Sequence, residues 1–198
     1  MDISHMGFVA GLMEEVNLPY AQQKAVLSCI SEKNPHGVRA ICMEAGLADE
    51  MAKKLEALAS LYGGLEGTLE QAKALCCNEK MEQAVAELEG ILRCLKIGGN
   101  EKNVNLDFSI VNDMDYYTGV IFQGFINGVP AGILSGGRYD NLLHKMGKDA
   151  DAIGFAVYLD LLERFETTEK EYDVDTLLLY EDGVDTAALA KAAQMLTD

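Results

Sequence analysis

The chain has 198 residues and a net charge of −16, and 49% of its residues are hydrophobic. This length suits one domain and part of a second, and no apolar run approaches the length of a membrane-spanning helix. Nucleic acids are bound by clustered Lys and Arg, and the sequence shows no such cluster. We therefore expect a soluble globular protein without a nucleic-acid or membrane partner.

The five cysteines are odd in number, and none forms a CxxC pair. Reduced thiols are typical of this pattern, and neither a disulfide framework nor a zinc site is predicted. The adjacent Cys76 and Cys77 could be a redox pair, although two small apolar side chains on a helix are the favoured interpretation. No basic and apolar export signal opens the sequence, so we expect a cytoplasmic protein without a cofactor or a metal.

The first hundred residues have apolar side chains at helical spacing. Pro19 stands at a favoured first-turn position, and Gly-Gly pairs that end at Gly64 and Gly99 are typical helix stops. These signals predict a subdomain of short antiparallel helices. The predicted helices are GFVAGLMEEV, PYAQQKAVLSCISEKN, PHGVRAICMEAGL, ADEMAKKLEALASLYGG and EQAVAELEGILRCLKIGG.

The pattern changes at Asn100, where apolar and polar residues begin to alternate as in half-buried strands. Strands are predicted over NLDFSIV, YYTGVIFQGFI and VPAGILS, the last two joined by a two-residue turn at Asn127 and Gly128. RYDNLLHKMG is predicted to form a helix, AIGFAVY a buried strand and LDLLERFE another helix. After the polar segment TTEKE, a strand over DVDTLLLY and a helix over DTAALAKAAQML indicate the start of a further α/β unit.

Tyrosines and glycines in this second half could form a small pocket. Tyr116 and Tyr117 are neighbours in a predicted strand, so their rings point to opposite faces and one of them can line a cavity. Gly136, Gly137 and Gly154 lack side chains, which lets a ligand approach the backbone. A tyrosine-rich hairpin with a tight strand–helix turn explains the same residues equally well.

Polar side chains near this stretch also have more than one interpretation. Gln123 alternates onto the face of Tyr117 and could bind an imidazole or an amine, but a solvated strand residue is nearly as good an interpretation. Arg138, together with Asp140, is expected to order the corner before the helix. His5 begins an apolar stretch, where we expect a packed or hydrogen-bonded core residue.

Three segments in order, MDYYTG, SGGRYDNL and AIGFAV, resemble the two histidine-recognition motifs and the third signature motif of the histidyl-tRNA synthetase family. ISHMGFVAGLMEE resembles the strand and helix that follow the second signature motif. The resemblance implies an α+β fold of the class II aminoacyl-tRNA synthetase type, with an antiparallel sheet and helices, present as the second half of the catalytic-type domain. The first and second signature motifs of the family would lie upstream of Met1.

The same resemblance implies the organisation of the chain and its site residues. Residues 1–16 would start the synthetase-like core, 17–99 form a helical insertion, 100–167 form the sheet with the ligand motifs, and 172–198 start a C-terminal α/β unit. No catalytic residue is implied. A histidine-type pocket would be formed by Asp115, Tyr116, Tyr117, Gln123, Gly136, Gly137, Arg138, Tyr139, Gly154 and Phe155.

Two departures from the synthetase pattern concern arginines. Asn112 stands where the synthetases have an arginine three positions before DYY, and Leu161 stands where an arginine ends their third motif. Activation of an amino acid with ATP develops negative charge on phosphate, which guanidinium groups stabilise and neutral side chains do not. We therefore predict that the chain does not aminoacylate.

This combination, like the ISHMGF start, resembles the paralogous family of ATP phosphoribosyltransferase regulatory subunits. The resemblance implies a non-catalytic protein that associates with the short-form catalytic subunit in the first step of histidine biosynthesis. It also implies allosteric regulation through bound histidine, and an oligomer in the full-length form. Two alternatives stay open: a fragment of a histidyl-tRNA synthetase, and an interaction scaffold without a ligand.

Overall fold

The first half of the chain is mostly helical. The computed structural model describes residues 1–16, 18–111, 117–162, 177–181 and 183–196. The elements of the first half are β1 (Asp2–His5), α1 (Met6–Glu15), α2 (Tyr20–Ser31), α3 (Pro35–Glu44), α4 (Asp49–Ser60), β2 (Tyr62–Gly64), α5 (Leu65–Leu75) and α6 (Glu79–Ile97). The predicted helices are confirmed, whereas β2 and α5 are not among the predicted elements. α4 ends at Ser60, before the predicted Gly-Gly stop, because Tyr62, Gly63 and Gly64 form β2 instead. Gly67 weakens the helical pattern of α5.

Local capping signals fix where two of these helices begin. Asn34 Oδ1 accepts a hydrogen bond from Gly37 N–H at 2.9 Å, and Asn78 Oδ1 accepts one from Met81 N–H at 3.0 Å. Each cap satisfies a backbone donor that has no partner within its helix. Because the caps set the helix starts, they also set which side chains of α3 and α6 face the core.

The second half supplies most of the sheet. Its elements are β3 (Asn105–Asp107), β4 (Val120–Gly124), β5 (Leu134–Arg138), α7 (Asp140–Lys145), β6 (Ile153–Val157) and α8 (Thr186–Met195), with 3₁₀ turns over Glu101–Asn103 and Leu159–Leu162. The strand predicted over NLDFSIV is limited to β3, and β5 begins later than predicted. The remainder of the helix predicted over LDLLERFE lies outside the described residues. So does the start of the strand predicted over DVDTLLLY, and its described part, residues 177–180, is not a strand.

The strands form a sheet in the order β2-β3-β1-β4-β5-β6. β1 and β3 are parallel, and the other neighbouring pairs are antiparallel. The expected α+β class is confirmed, but a purely antiparallel sheet is wrong for β1 and β3. Parallel neighbours need a crossover connection, and here the region from α1 to α6 forms it. The helical region, which also contains β2, is therefore inserted between two adjacent strands.

β4 and β5 are antiparallel neighbours as predicted, but a longer loop connects them. The loop occupies residues 125–133, and Ile133 N–H donates to the carbonyl oxygen of Gly124 at 2.8 Å. The turn at Asn127 and Gly128 lies inside this loop, where Gly128 has a φ of 91°. The two-residue hairpin is therefore wrong, because the hydrogen-bonded ladder ends before it reaches the turn.

The helices cover one face of the sheet. Phe8 of α1 and Phe108, next to β3, are fully buried with their ring centroids 4.7 Å apart. Ile3 of β1 and Phe122 of β4 pack into the same apolar core. Burial of a Phe side chain stabilises a fold by about 1.5–3 kcal/mol. Ile121 points to the opposite face of the sheet and belongs to a separate small cluster.

β6 is a strand as predicted, but it is exposed rather than buried. The side chains of Ile153 and Phe155 are 63% and 68% exposed. β6 lies at the edge of the described sheet, with β5 as its neighbour. The apolar residues of this strand predicted burial, but none of the described residues covers them.

Candidate functional site

Two glycines on neighbouring strands leave a patch of the sheet without side chains. Gly137 of β5 is paired in register with Gly154 of β6 and, on its other side, with Ile121 of β4. Residues directly opposite each other in antiparallel strands share a face. This face, defined by Ile121, Gly137 and Gly154, is the glycine face, and it is opposite to the face that packs against the helical core.

Two tyrosine rings lie over these glycines. A Cβ atom on Gly137 would be 2.7 Å from Cδ1 of Tyr117, and one on Gly154 would be 2.6 Å from the hydroxyl oxygen of Tyr139. These distances are shorter than ordinary contacts, so the rings can take these positions only because the side chains are missing. Both tyrosines are half-buried, which leaves part of each ring accessible to a ligand.

A row of polar groups lies two residues further along the same face. Gln123 of β4 and Ser135 of β5 are paired in register, and Ser135 Oγ lies 2.9 Å from the hydroxyl oxygen of Tyr158. Two residues along a strand correspond to about 6.6 Å. The glycine face therefore offers aromatic rings at one end and amide and hydroxyl groups at the other.

Tyr158 is a candidate site residue that the sequence interpretation missed. It directly follows the segment AIGFAV and was given no role. Gly154 and Ala156 alternate onto the glycine face, since they are paired with Gly137 and Ser135. Extending this alternation by two residues would have placed Tyr158 on the same face.

The carboxylate of Asp140 holds the corner between β5 and α7. It is buried, and it accepts hydrogen bonds from the Thr118 hydroxyl at 3.2 Å and from Ala152 N–H at 3.1 Å. Nε of Arg138 lies 2.7 Å from the same carboxylate. The Asp140 side chain therefore connects Thr118, which precedes β4, Arg138, which ends β5, and Ala152, which precedes β6.

Each tyrosine is adjacent to a residue of this corner. Thr118, which follows Tyr117, donates its N–H to the carbonyl oxygen of Arg138 at 2.9 Å. Tyr139 donates its own N–H to the carbonyl oxygen of Ala152, also at 2.9 Å. The backbone of both tyrosines is therefore fixed by the corner, and the expected role of Arg138 in ordering it is confirmed.

Part of the predicted site does not lie on the glycine face. Gly136 and Phe155 are paired in register and point to the opposite face. Because neighbouring strand residues point to opposite faces, Gly136 and Gly137 cannot both line the same pocket. Asp115 and Tyr116 lie outside the described residues. Within the described chain, the structure brings together Tyr117, Gln123, Gly137, Tyr139 and Gly154.

His5, at the end of β1, is buried and hydrogen-bonded as predicted. Its Nε2 lies 3.1 Å from a carboxylate oxygen of Glu87 on α6, so Nε2 carries the proton and donates. Burial lowers the pKa of His5 below its usual range, although the neighbouring Glu87 acts to raise it. The ring is therefore neutral near pH 7, and its Nδ1 has no hydrogen-bond partner among the described residues.

The adjacent Cys76 and Cys77 follow the end of α5. Burial raises the pKa of both thiols, which disfavours the reactive thiolate form. Cys77 Sγ lies 3.4 Å from Sδ of Met81. The raised pKa values speak against a reactive redox pair. The expected place on a helix is wrong, because Cys76 caps the end of α5 and Cys77 lies beyond it and is exposed.

The described parts of the chain contain neither a metal-binding cluster nor a membrane-spanning helix. No group of three or more His, Cys, Asp or Glu side chains there is placed to hold a metal ion. Among the helices described, none combines the length and the apolar character that crossing a membrane requires.

Comparison with known proteins identifies the family. The family model for histidyl-tRNA synthetase matches residues 1–162. The ATP phosphoribosyltransferase regulatory subunit of Syntrophotalea carbinolica is 34% identical over 201 residues, which cover 100% of this chain and 47% of that protein. The chain spans about half the length of the curated relatives it matches.

Solved structures share the fold. A crystal structure of an ATP phosphoribosyltransferase regulatory subunit/histidyl-tRNA synthetase from Bacillus halodurans is 35% identical with a TM-score of 0.73, covering 81% of this chain and 42% of that one. The ATP phosphoribosyltransferase complex from Thermotoga maritima contains a chain with the same fold at 16% identity and a TM-score of 0.55, covering 79% of this chain and 52% of that one. The family model, the curated relatives and the solved structures agree, and the chain belongs to the histidyl-tRNA synthetase family of class II folds, which includes the ATP phosphoribosyltransferase regulatory subunits.

Proposed function

We propose that this chain is part of a non-catalytic regulatory subunit of ATP phosphoribosyltransferase and that its glycine face binds histidine. The observation that carries the proposal is the pair of tyrosine rings over bare glycines, beside amide and hydroxyl groups. An imidazole ring can stack against tyrosine and form hydrogen bonds with Gln123 or Ser135. Histidine is the end product of the pathway in which this enzyme performs the first step, so a subunit that binds it is suited to feedback regulation.

The charges of the glycine face favour a regulator over a synthetase fragment. None of the described strand residues on this face is a Lys or an Arg, and Arg138 points to the opposite face. Leu161 takes the place of the third-motif arginine, while Asn112 lies outside the described residues. The negative charge that develops on phosphate during activation would therefore meet no cation from the described strands of this face.

The relatives' names support the same partner. The chain resembles a protein named as an ATP phosphoribosyltransferase regulatory subunit, and it has the fold of a chain in an ATP phosphoribosyltransferase complex. We infer that the partner is the short-form catalytic subunit of that enzyme. Size-exclusion chromatography of the two mixed proteins tests this pairing: co-elution is expected, and separate elution would contradict it for this chain.

Isothermal titration calorimetry with L-histidine tests the pocket. The proteins compared are wild type, Tyr117→Ala, Tyr139→Ala and, as a control, Tyr20→Ala, whose side chain on α2 is 80% exposed. We expect wild type to bind, the two pocket variants to bind at least about tenfold more weakly, and the control to match wild type. No saturable heat in wild type at millimolar histidine, or equal affinity in all four proteins, would refute the proposal.

A further inference from the structure

The face opposite the glycine face carries a polar cluster that the proposed pocket does not use. Glu87 lies near the middle of α6, a helix of 19 residues. Its carboxylate lies 3.1 Å from Nε2 of His5 on β1 and 3.7 Å from the guanidinium group of Arg138 on β5. Glu87 therefore links two strands of the sheet to the helical region.

His5 fixes one side of this cluster. The residue is 3% exposed, and a Cβ on Gly7 would be 3.0 Å from Cε1 of its ring, so the ring lies against the bare backbone of α1. The neutral ring donates from Nε2 to Glu87, and its Nδ1 has no hydrogen-bond partner among the described residues. An imidazole held in this way gives the Glu87 carboxylate a fixed partner.

Arg138 forms the other side of the cluster. Its guanidinium group lies 2.7 Å from the carboxylate of Asp140, 3.2 Å from that of Asp151 and 3.7 Å from that of Glu87. Its stem lies over Gly119, where a Cβ would be 3.0 Å from Cδ of Arg138. Three carboxylates attract one cation, so removal of the charge on one of them moves the guanidinium group toward the other two.

Asp140 connects this cation to the pocket. Its carboxylate accepts a hydrogen bond from the hydroxyl group of Thr118, the residue that follows Tyr117. Asp140 itself follows Tyr139 in the sequence. We infer that Glu87 is a positioning residue for the glycine face, because through Arg138 and Asp140 it sets the positions of both tyrosine rings. The effect on ligand affinity rests on the proposed function, whereas the effect on ring position does not.

This arrangement gives the helical region a means of regulating the pocket. α6 packs against α1 and α8, and it places Glu87 at the face of the sheet opposite the glycine face. A partner that displaces α6 would move the carboxylate and change the corner that holds the rings. Because coupling between two binding sites is reciprocal, a ligand on the glycine face would change the affinity for that partner by the same factor.

NMR spectra of the ligand-free full chain with ¹³C-labelled tyrosine rings test the inference. The proteins compared are wild type, Glu87→Gln and Glu89→Gln, and the variants Tyr117→Phe and Tyr139→Phe assign the two ring signals. Glu89 is the matched control because it also lies on α6, pairs with Lys73 at 2.7 Å, and has a side chain 38% exposed against 48% for Glu87. Calorimetry with L-histidine is done on the same three proteins.

Glu87→Gln should shift the ring signals of both Tyr117 and Tyr139, and Glu89→Gln should leave them unchanged. Histidine affinity should fall roughly three- to tenfold in Glu87→Gln, which lies within the roughly two- to thirtyfold range found for residues that couple to a site from outside it. Glu87→Asp keeps the charge and should restore part of the wild-type signals. A residue that only stabilised α6 would not produce this dependence on charge.

Unchanged tyrosine signals in Glu87→Gln, or equal shifts in Glu89→Gln, would overturn the inference. A wild-type protein that binds no histidine, but whose tyrosine signals respond to Glu87→Gln, would reject the proposed function and support the positioning role. Weaker histidine binding in Glu87→Gln without any shift of the ring signals would overturn the positioning role and leave the proposed function standing.

Discussion

Gly137→Ala perturbs the glycine face at its centre. The added Cβ would be 2.7 Å from Cδ1 and 2.8 Å from Cε1 of Tyr117, and 2.7 Å from Cγ2 of Ile121. Ile121 is fully buried and Tyr117 is half-buried, so the tyrosine ring is the group that can move. Carbon atoms in ordinary contact are about 3.5–4.0 Å apart. The tyrosine ring would therefore have to move away from the new Cβ by roughly 1 Å.

The size of the effect follows from this displacement. Overpacking of this kind destabilises a fold by about 1–3 kcal/mol. For a domain of this length, each kcal/mol lowers Tm by about 2–4 °C. Since the ring of Tyr117 would no longer stand over β5, we expect histidine to bind at least about tenfold more weakly, a change of about 1.4 kcal/mol. Calorimetry measures the affinity, and circular dichroism during heating measures Tm.

Two further alanine variants separate the site from the fold. Gly64→Ala in β2 adds a Cβ with no heavy atom within 4 Å, so affinity and Tm should match wild type. Gly136→Ala places its Cβ against the backbone carbonyl oxygen of Gly154, which cannot move without disturbing the β5–β6 ladder. It should therefore lower Tm more than Gly137→Ala does. Wild-type affinity and Tm in Gly137→Ala would refute the placement of the Tyr117 ring over β5.

Three other predictions concern the buried histidine, a helix cap and catalysis. Because burial lowers the pKa of His5 in the folded protein, the unfolded chain takes up the proton first as the pH falls. The free energy of unfolding should therefore decrease as the pH falls through about 6.5 and recover as the pH rises. Urea unfolding at several pH values measures this dependence, which should be smaller in His5→Asn. Asn78→Ala removes the α6 cap and a 2.9 Å hydrogen bond to the carbonyl oxygen of Gly11, and it should lower the free energy of unfolding in urea by about 1–2 kcal/mol. With Leu161 in place of an arginine, the chain should show no histidine-dependent ATP–pyrophosphate exchange, and exchange above background would contradict the non-catalytic role.

The helices could be predicted because their signals are local. The predicted start of α3 at Pro35 is the observed one, and Asn34 caps it. α6 begins at Glu79, three residues before the predicted start at Glu82, because Asn78 caps it there. β2 has no comparable signal, since Tyr62, Gly63 and Gly64 become a strand only by pairing with β3. That pairing joins residues far apart in the sequence, and no local pattern contains it.

The motifs could point to candidate site residues but not to their arrangement. The motifs single out the glycines, but which face each one serves depends on strand register. Gly137 is paired with Gly154 on the glycine face, whereas Gly136 is paired with Phe155 on the other. Tyr158 was missed for the same reason, because its place depends on the alternation along β6.

In the proposed function, the alternation along β5 lets one short motif take part in both histidine binding and its regulation. Gly137 lies beneath a tyrosine ring on the glycine face, and the next residue, Arg138, points to the opposite face and lies against carboxylates. A synthetase needs cations where ATP binds, and the arginine of this motif is held on the other side of the sheet. The chain can therefore keep a surface suited to an amino acid without one suited to phosphate. Because Arg138 lies between Glu87 of α6 and the Asp140 corner, the same strand connects that surface to the helical region.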